Sequence, residues 1–267
     1  MPELPEVEAV CRQLSISIPE SKVVGTEILL QRIIREGNPD MLVGSTFKSV
    51  ERIGKFIRIR TDTRLSLFVH LRMTGQLFWE PAEYLRDRFV RCILTTDNGI
   101  ITFRDVRTLG GLWICDDEKP PWKKMGVDPF SKHFTVAYLT EKLAKRKVPI
   151  KPMLLDQAFI AGIGNIYASE ILFNAGINPL RLASSIDSSE IPRLHDGVIR
   201  ILQSAIDAKG TTFKNFRLSD GKEGAFREFL KVYAHGGEPC AICGTVLERI
   251  TQAGRSTYFC SICQPLT

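Results

Sequence analysis

Short runs of β-branched and aromatic residues dominate the chain from Val24 to Cys115, among them Phe56-Ile57-Arg58-Ile59-Arg60, Leu65-Ser66-Leu67-Phe68-Val69 and Gly99-Ile100-Ile101-Thr102-Phe103. Turn residues separate them, so this half reads as a sandwich or barrel-like β domain. Thr96-Asp97-Asn98-Gly99 is predicted to be a tight hairpin turn, because Asn-Gly tolerates the positive φ that such turns require. Ahead of the strands, residues 3–14 read as one helix, with Pro5 accommodated in its first turn and acidic residues near its positive end. Consecutive prolines, mixed charge and no periodicity mark Asp116 to Phe130 as a linker. Helices are predicted around 134–146, 152–161, 165–175, 189–208 and 223–233, with Gly162-Ile163-Gly164 as a tight joint. The expected class is α+β and multidomain: a β-sandwich domain with an N-terminal helix over 1–116, a linker over 117–130, a helical domain over 131–235 and a small terminal module over 236–267.

Composition narrows the partners. The chain has 267 residues, 44% of them hydrophobic, and no run of about 18 uninterrupted apolar residues, so no membrane span or membrane partner is expected. Glu3, Glu6, Glu8 and Arg12 occupy the region where a secretory signal needs an apolar run, which points to the cytoplasm. A net charge of +6 and a pI near 9.0 favour a polyanionic partner. Basic residues gather at Arg52, Lys55, Arg58, Arg60 and Arg64, again at Lys142, Lys145, Arg146 and Lys147, and at Arg249 and Arg255, although each run can equally be a solvated face.

Seven cysteines make an odd count, and the scattered Cys11, Cys92 and Cys115 argue against a disulfide framework. The other four form two C-x2-C pairs, Cys240 with Cys243 and Cys260 with Cys263, sixteen residues apart. That spacing suits one four-coordinate Zn2+, and about thirty residues cannot build their own core, so the metal supplies the folding free energy. A closed four-sulfur site leaves no position for water, so the ion is expected to be structural. Between the pairs, Thr251 to Ser256 reads as a hairpin tip from which Arg255 projects.

Three blocks carry a family likeness: Met1-Pro2-Glu3-Leu4-Pro5-Glu6-Val7-Glu8, the stretch from Asp156 to Glu170, and Gly236 to Gln264. Together they make the chain resemble the formamidopyrimidine-DNA glycosylases, which have the endonuclease VIII enzymes as relatives. The resemblance implies a nucleophile at Pro2 once Met1 is removed. A terminal secondary amine keeps an appreciable neutral fraction at neutral pH. It would attack C1′ of the damaged nucleotide, expel the base and form an imine that drives elimination of the flanking phosphates. The same resemblance makes Glu3 the general acid/base, gives Lys55 a place in the catalytic set beside a phosphate, and makes Glu6 a supporting group.

An enzyme acting on a duplex base flips it out and fills the gap. The family pattern puts a phosphate contact at His70, the gap-filling side chain at Met73, a contact to the widowed base at Arg107 and a wedge at Leu109. Asp105 to Gly110 departs from that pattern, which carries proline, a basic residue and phenylalanine where this chain has Val106, Thr108 and Leu109. Leucine keeps apolar wedging and loses aromatic stacking. Asn165, in a helix-two-turn-helix, with Tyr233 and Arg255, is implied to grip the DNA backbone. The stretch from Thr211 to Phe226, including Lys214, Gly221 and Gly224, resembles a lesion-capping loop.

The expected protein is therefore a monomeric, bifunctional glycosylase and abasic-site lyase acting on double-stranded DNA with oxidised purines or abasic sites, carrying one structural Zn2+. Two rivals stand beside it: an endonuclease VIII-like enzyme for oxidised pyrimidines, and a zinc-ribbon DNA-binding protein without catalysis.

Overall fold

The computed structural model describes residues 1–80, 87–212 and 217–266. They form two compact units, one of Met1–Lys123 with Ile206–Arg227, the other of Lys124–Ala205 with Glu228–Thr267.

The first unit opens with helix α1 (Leu4–Ser17), started by a reciprocal capping box between Glu3 and Glu6. Nine strands follow: β1 (Val23–Ile28), β2 (Ile34–Glu36), β3 (Phe47–Ile53), β4 (Phe56–Thr61), β5 (Leu65–His70), β6 (Gly75–Glu80), β7 (Val90–Thr96), β8 (Ile100–Asp105) and β9 (Gly111–Asp116). They build a four-stranded sheet in the order β1-β7-β8-β6 and a five-stranded one in the order β2-β9-β5-β4-β3. One buried apolar cluster draws Ile57, Val69 and Ile114 from one sheet, Leu94 and Phe103 from the other, and Val7, Val10 and Leu14 from α1. The helix and both sheets therefore share one core, the sandwich expected from the strand pattern. In β4 the alternation is complete, with Ile57 and Ile59 inward and Arg58 and Arg60 on the opposite face.

The β7–β8 turn falls at Thr96–Gly99, closed by Thr96 N–H to the Gly99 carbonyl at 2.8 Å. Neither Asn98 nor Gly99 adopts the positive φ that the Asn-Gly pair suggested. The Thr96 hydroxyl closes the loop instead, donating to the Gly99 carbonyl at 2.7 Å. Glycine is needed at 99 for space, since a Cβ there would lie 2.3 Å from the Trp79 ring.

The second unit holds α2 (Val136–Leu143), α3 (Ile150–Leu155), α4 (Asn165–Ala175), most of α5 (Glu190–Asp207) and the hairpin β10 (Glu248–Gln252) with β11 (Arg255–Phe259). Two of the expected helices differ. The one expected over 152–161 stops at Leu155, because Gln157 replaces helical bonding beyond it: its side chain donates to the carbonyls of Leu155 and Ile163 and accepts from Gly162 N–H. In place of a helix over 223–233 there is one 3-10 turn, Phe226–Phe229. The N–H of Gly224 is taken by the Thr212 hydroxyl, and those of Lys231, Val232 and Tyr233 all go to the Glu170 carboxylate, so no helical ladder can form through them.

The expected linker is largely built into the units. Trp122 packs against Phe56 and Phe68 in the first unit. In the second, Gly126 and Val127 donate to the carbonyls of Gln157 and Phe159, and Val127 accepts from Ala161. The segment Ile206–Arg227 belongs to the first unit, with the β-sandwich, and not to the helical domain expected over 131–235.

Candidate active site and nucleic-acid interface

The start of α1 is sealed. Pro2 is buried, and Glu3 and Glu6 are 2% and 1% exposed. One oxygen of Glu6 accepts the Glu3 N–H at 2.7 Å, and the other accepts the Thr211 N–H, also at 2.7 Å. Gly210, at φ 82°, lets the chain pass so close that a Cβ would lie 2.8 Å from the Glu6 carboxylate. Glu6 thus fastens the segment after α5 to the N-terminus, a buried anion satisfied by backbone donors.

Lys55 is buried in the β3–β4 turn next to Gly54, whose φ of 59° forms the bend. Arg52 braces that turn, bonding Glu8 of α1 and the Gly54 carbonyl. His70 ends β5 with its Nδ1 accepting the Arg72 N–H at 3.0 Å and its ring edge-on to Phe56. Burial, then the positive charges of Arg72 and Lys55, push its pKa down to about 3. The imidazole is neutral, and because Nδ1 accepts, its proton sits on Nε2. It can offer a neutral hydrogen bond to an anion.

Two loops leave neighbouring strand ends. Met73 and Leu109 are 39% and 43% exposed, so neither is the core residue that a lone Met or Leu usually is. Each follows a residue in the left-handed region, Arg72 at φ 53° and Thr108 at φ 54°. Arg107 is also exposed. Arg32 donates to the Thr108 hydroxyl, so a guanidinium stands against the position where the family pattern has a basic residue. Sequence reasoning missed Asp105, wholly buried between the loops, and Thr74; the only available signal was an acid inside an otherwise loop-like block.

The expected capping loop is closed at its base by a bridge between Thr211 and Ala225 and by Gly224 N–H to Thr212. Leu218 enters the core and Ser219 bonds Gln13 of α1, while Gly221, at φ 82°, forms a turn. Lys214 lies outside the described residues. Ser219 and Gly221, with Thr74, Gln76, Trp79 and Arg104, line a cavity of about 520 Å³ in this unit.

In the second unit, Asn165 is the first residue of α4. Its Nδ2 donates to the Ser256 carbonyl at 2.9 Å, beside Lys151 Nζ at 3.0 Å, and its Oδ1 is buried without a partner. An acceptor oxygen repels phosphate, so a phosphate contact through this side chain needs the amide rotated to present its NH2. Tyr233 meets Tyr258 edge-on and donates its N–H to Glu170. Burial raises the Glu170 pKa against the pull of its three N–H partners. Arg255 is exposed at the tip of the β10–β11 hairpin, whose turn residues Ala253 and Gly254 have φ of 48° and 73°.

The four cysteine sulfurs lie within 4.8 Å of one another. Cys240 and Cys263 are 3.8 Å apart and Cys243 and Cys260 3.4 Å, against about 3.8 Å for the edge of a tetrahedron with zinc–sulfur bonds of about 2.3 Å. Backbone N–H groups of Ile242 and Cys263 point at Cys240 and Cys260 sulfurs, as thiolates require. The donor set fits one structural Zn2+. Bound there, the ion would join the two chain turns at the base of the hairpin.

A β-sandwich with a sealed N-terminal acid pair, a helical unit with a glycine-rich joint and a four-cysteine ribbon define the chain as a multidomain α+β protein with a metal-ribbon module. Family comparison makes this specific. Residues 1–112 match the formamidopyrimidine-DNA glycosylase N-terminal domain, 125–217 its H2TH domain, and 237–266 the zinc finger found in FPG and IleRS. The formamidopyrimidine-DNA glycosylase of Desulfitobacterium hafniense is 39% identical over 99% of this chain and 100% of its own length. Two solved Lactococcus lactis FPG structures are similar, each covering 99% of this chain and 100% of the other. One is a variant with Fapy-dG-containing DNA, 33% identical at a TM-score of 0.93. The other is the wild type with DNA containing an oxidised pyrimidine, 34% identical at 0.92. The chain belongs to the formamidopyrimidine-DNA glycosylase family.

Proposed function

We propose that the protein is a base-excision repair glycosylase and abasic-site lyase that removes oxidised purines from double-stranded DNA, with Pro2 as nucleophile. The observation that carries the reading is the sealed start of α1, where Pro2 and Glu3 are buried together and Glu6 fixes both to the base of the 211–226 loop. With Met1 removed, the neutral Pro2 nitrogen attacks C1′ and the glycosidic bond breaks, its electron pair leaving with the base. Glu3 gives a proton to the sugar ring oxygen as the ring opens to the imine. Loss of a C2′ proton expels the 3′ phosphate, and a second elimination expels the 5′ phosphate.

In this reading Lys55, His70, Asn165, Tyr233 and Arg255 hold the backbone, Met73 fills the gap, and Arg107 and Leu109 address the opposite strand. The cavity beneath the 217–221 segment takes the extruded base. Fapy-dG is the lesion in one of the similar complexes. A second substrate class, oxidised pyrimidines, has support from the other, whose DNA carries a lesion of that kind. We place the protein in the cytoplasm as a monomer.

Borohydride trapping tests the reading. Wild-type protein, shown by mass to lack Met1, is mixed with duplexes carrying 8-oxoguanine, thymine glycol or an abasic site, beside Pro2→Gly. A covalent adduct on 8-oxoguanine that needs Pro2 is the expected result. Adduct on the abasic duplex alone removes the purine assignment, and none on any duplex removes the enzyme.

A further inference from the structure

Strands β6 and β8 pair with Gly75 opposite Asp105, so the loops holding Met73 and Leu109 leave the same end of one ladder. Their joint is a single buried carboxylate. One Asp105 oxygen accepts the Thr74 hydroxyl at 2.5 Å and the Arg107 N–H at 3.2 Å; the other accepts the Gly110 N–H at 2.8 Å. The Thr74 hydroxyl also accepts the Arg107 N–H, at 3.0 Å. Thr74 therefore relays one loop to the other, accepting a hydrogen bond from the Leu109 loop and donating one to the carboxylate beneath both.

We infer that Thr74 and Asp105 lock the two exposed apolar tips into one unit, so that Met73 and Leu109 enter a duplex together. The side-chain chemistry is specific. All three groups facing Asp105 are donors, which a carboxylate accepts and an amide cannot: Asp105→Asn would turn an NH2 against the Gly110 N–H or against the other two. At 74 the position must both donate and accept, which only a hydroxyl of this size does. The lock also takes up backbone that would otherwise be orphaned beside the left-handed Thr108. Both are positioning residues, acting through the side chains that the loops carry. Their role in DNA entry rests on the proposed function.

Two measurements test the lock. Amide exchange in Thr74→Val should be about tenfold or more faster at Arg107, with strand amides of β8 unchanged to show that the fold persists, and Thr74→Ser should return it to the wild-type rate. Affinity for a duplex with an abasic-site analogue is then measured for Met73→Ala, Leu109→Ala and the pair. Their effects should be non-additive by about fivefold or more in the wild type, additive in Thr74→Val and again non-additive in Thr74→Ser. Unchanged Arg107 exchange, or the same coupling in the Thr74→Val background, overturns the inference. If the wild type binds no damaged duplex, the functional reading fails, and the exchange measurement still decides the lock.

Discussion

His70 shows how much a single side chain can set. Its folded pKa, near 3, lies below the ordinary 6.5, so between those values the unfolded chain binds more protons than the folded one. The stability it contributes is full above pH 6.5 and is lost as pH falls toward 3. His70→Gln removes this slope. Unfolding free energies from urea titrations at pH 6.5 to 5 should fall less in the variant, by a difference of up to about 2 kcal/mol over that interval. Parallel curves would mean that the imidazole is charged in the folded state. Met73, Arg107, Leu109 and Arg255, the exposed members of the proposed site, could be named from the sequence because motifs mark them. Asp105, Thr74 and Glu170 were not, because they act by accepting backbone N–H groups or relaying bonds from other segments, and such partners leave no periodic trace.

At the scale of elements, the strands and α1, α4 and α5 follow from pattern, while both misread helices have backbone donors diverted to a side chain. Glu170 is the clearest case. Its carboxylate takes three consecutive N–H groups some sixty residues along the chain and replaces the helix expected over 223–233. In Glu170→Gln an NH2 faces at least one of those donors. The variant should be less stable by about 1–3 kcal/mol in urea unfolding, with amide protection lost first at 231–233. A loss confined to α4 would instead assign Glu170 to the helix alone.

The zinc ribbon is less independent at the scale of the molecule than its motif implies. Cys240, Cys260 and Leu247 share one buried cluster with Phe173 of α4 and with Val232. Gln264 adds bonds to the Ile177 carbonyl and, through its own carbonyl, to Asn178. The purified protein should carry ~1 zinc per chain. A strong chelator should strip amide protection from β10 and β11 and also from the C-terminal half of α4, whereas loss limited to the hairpin would show that the ribbon melts alone.

Arg72 and Thr108 carry a consequence for evolution. Each keeps a side chain in the left-handed region at a cost of order 1 kcal/mol that glycine would not incur. A population selected only for heat resistance has a gain open to it by glycine at both sites, and each change loosens the backbone just before Met73 or Leu109. Screens that score survival at high temperature would therefore drift away from the loops proposed to meet the duplex, and only selection under mutagen pressure would hold them in place.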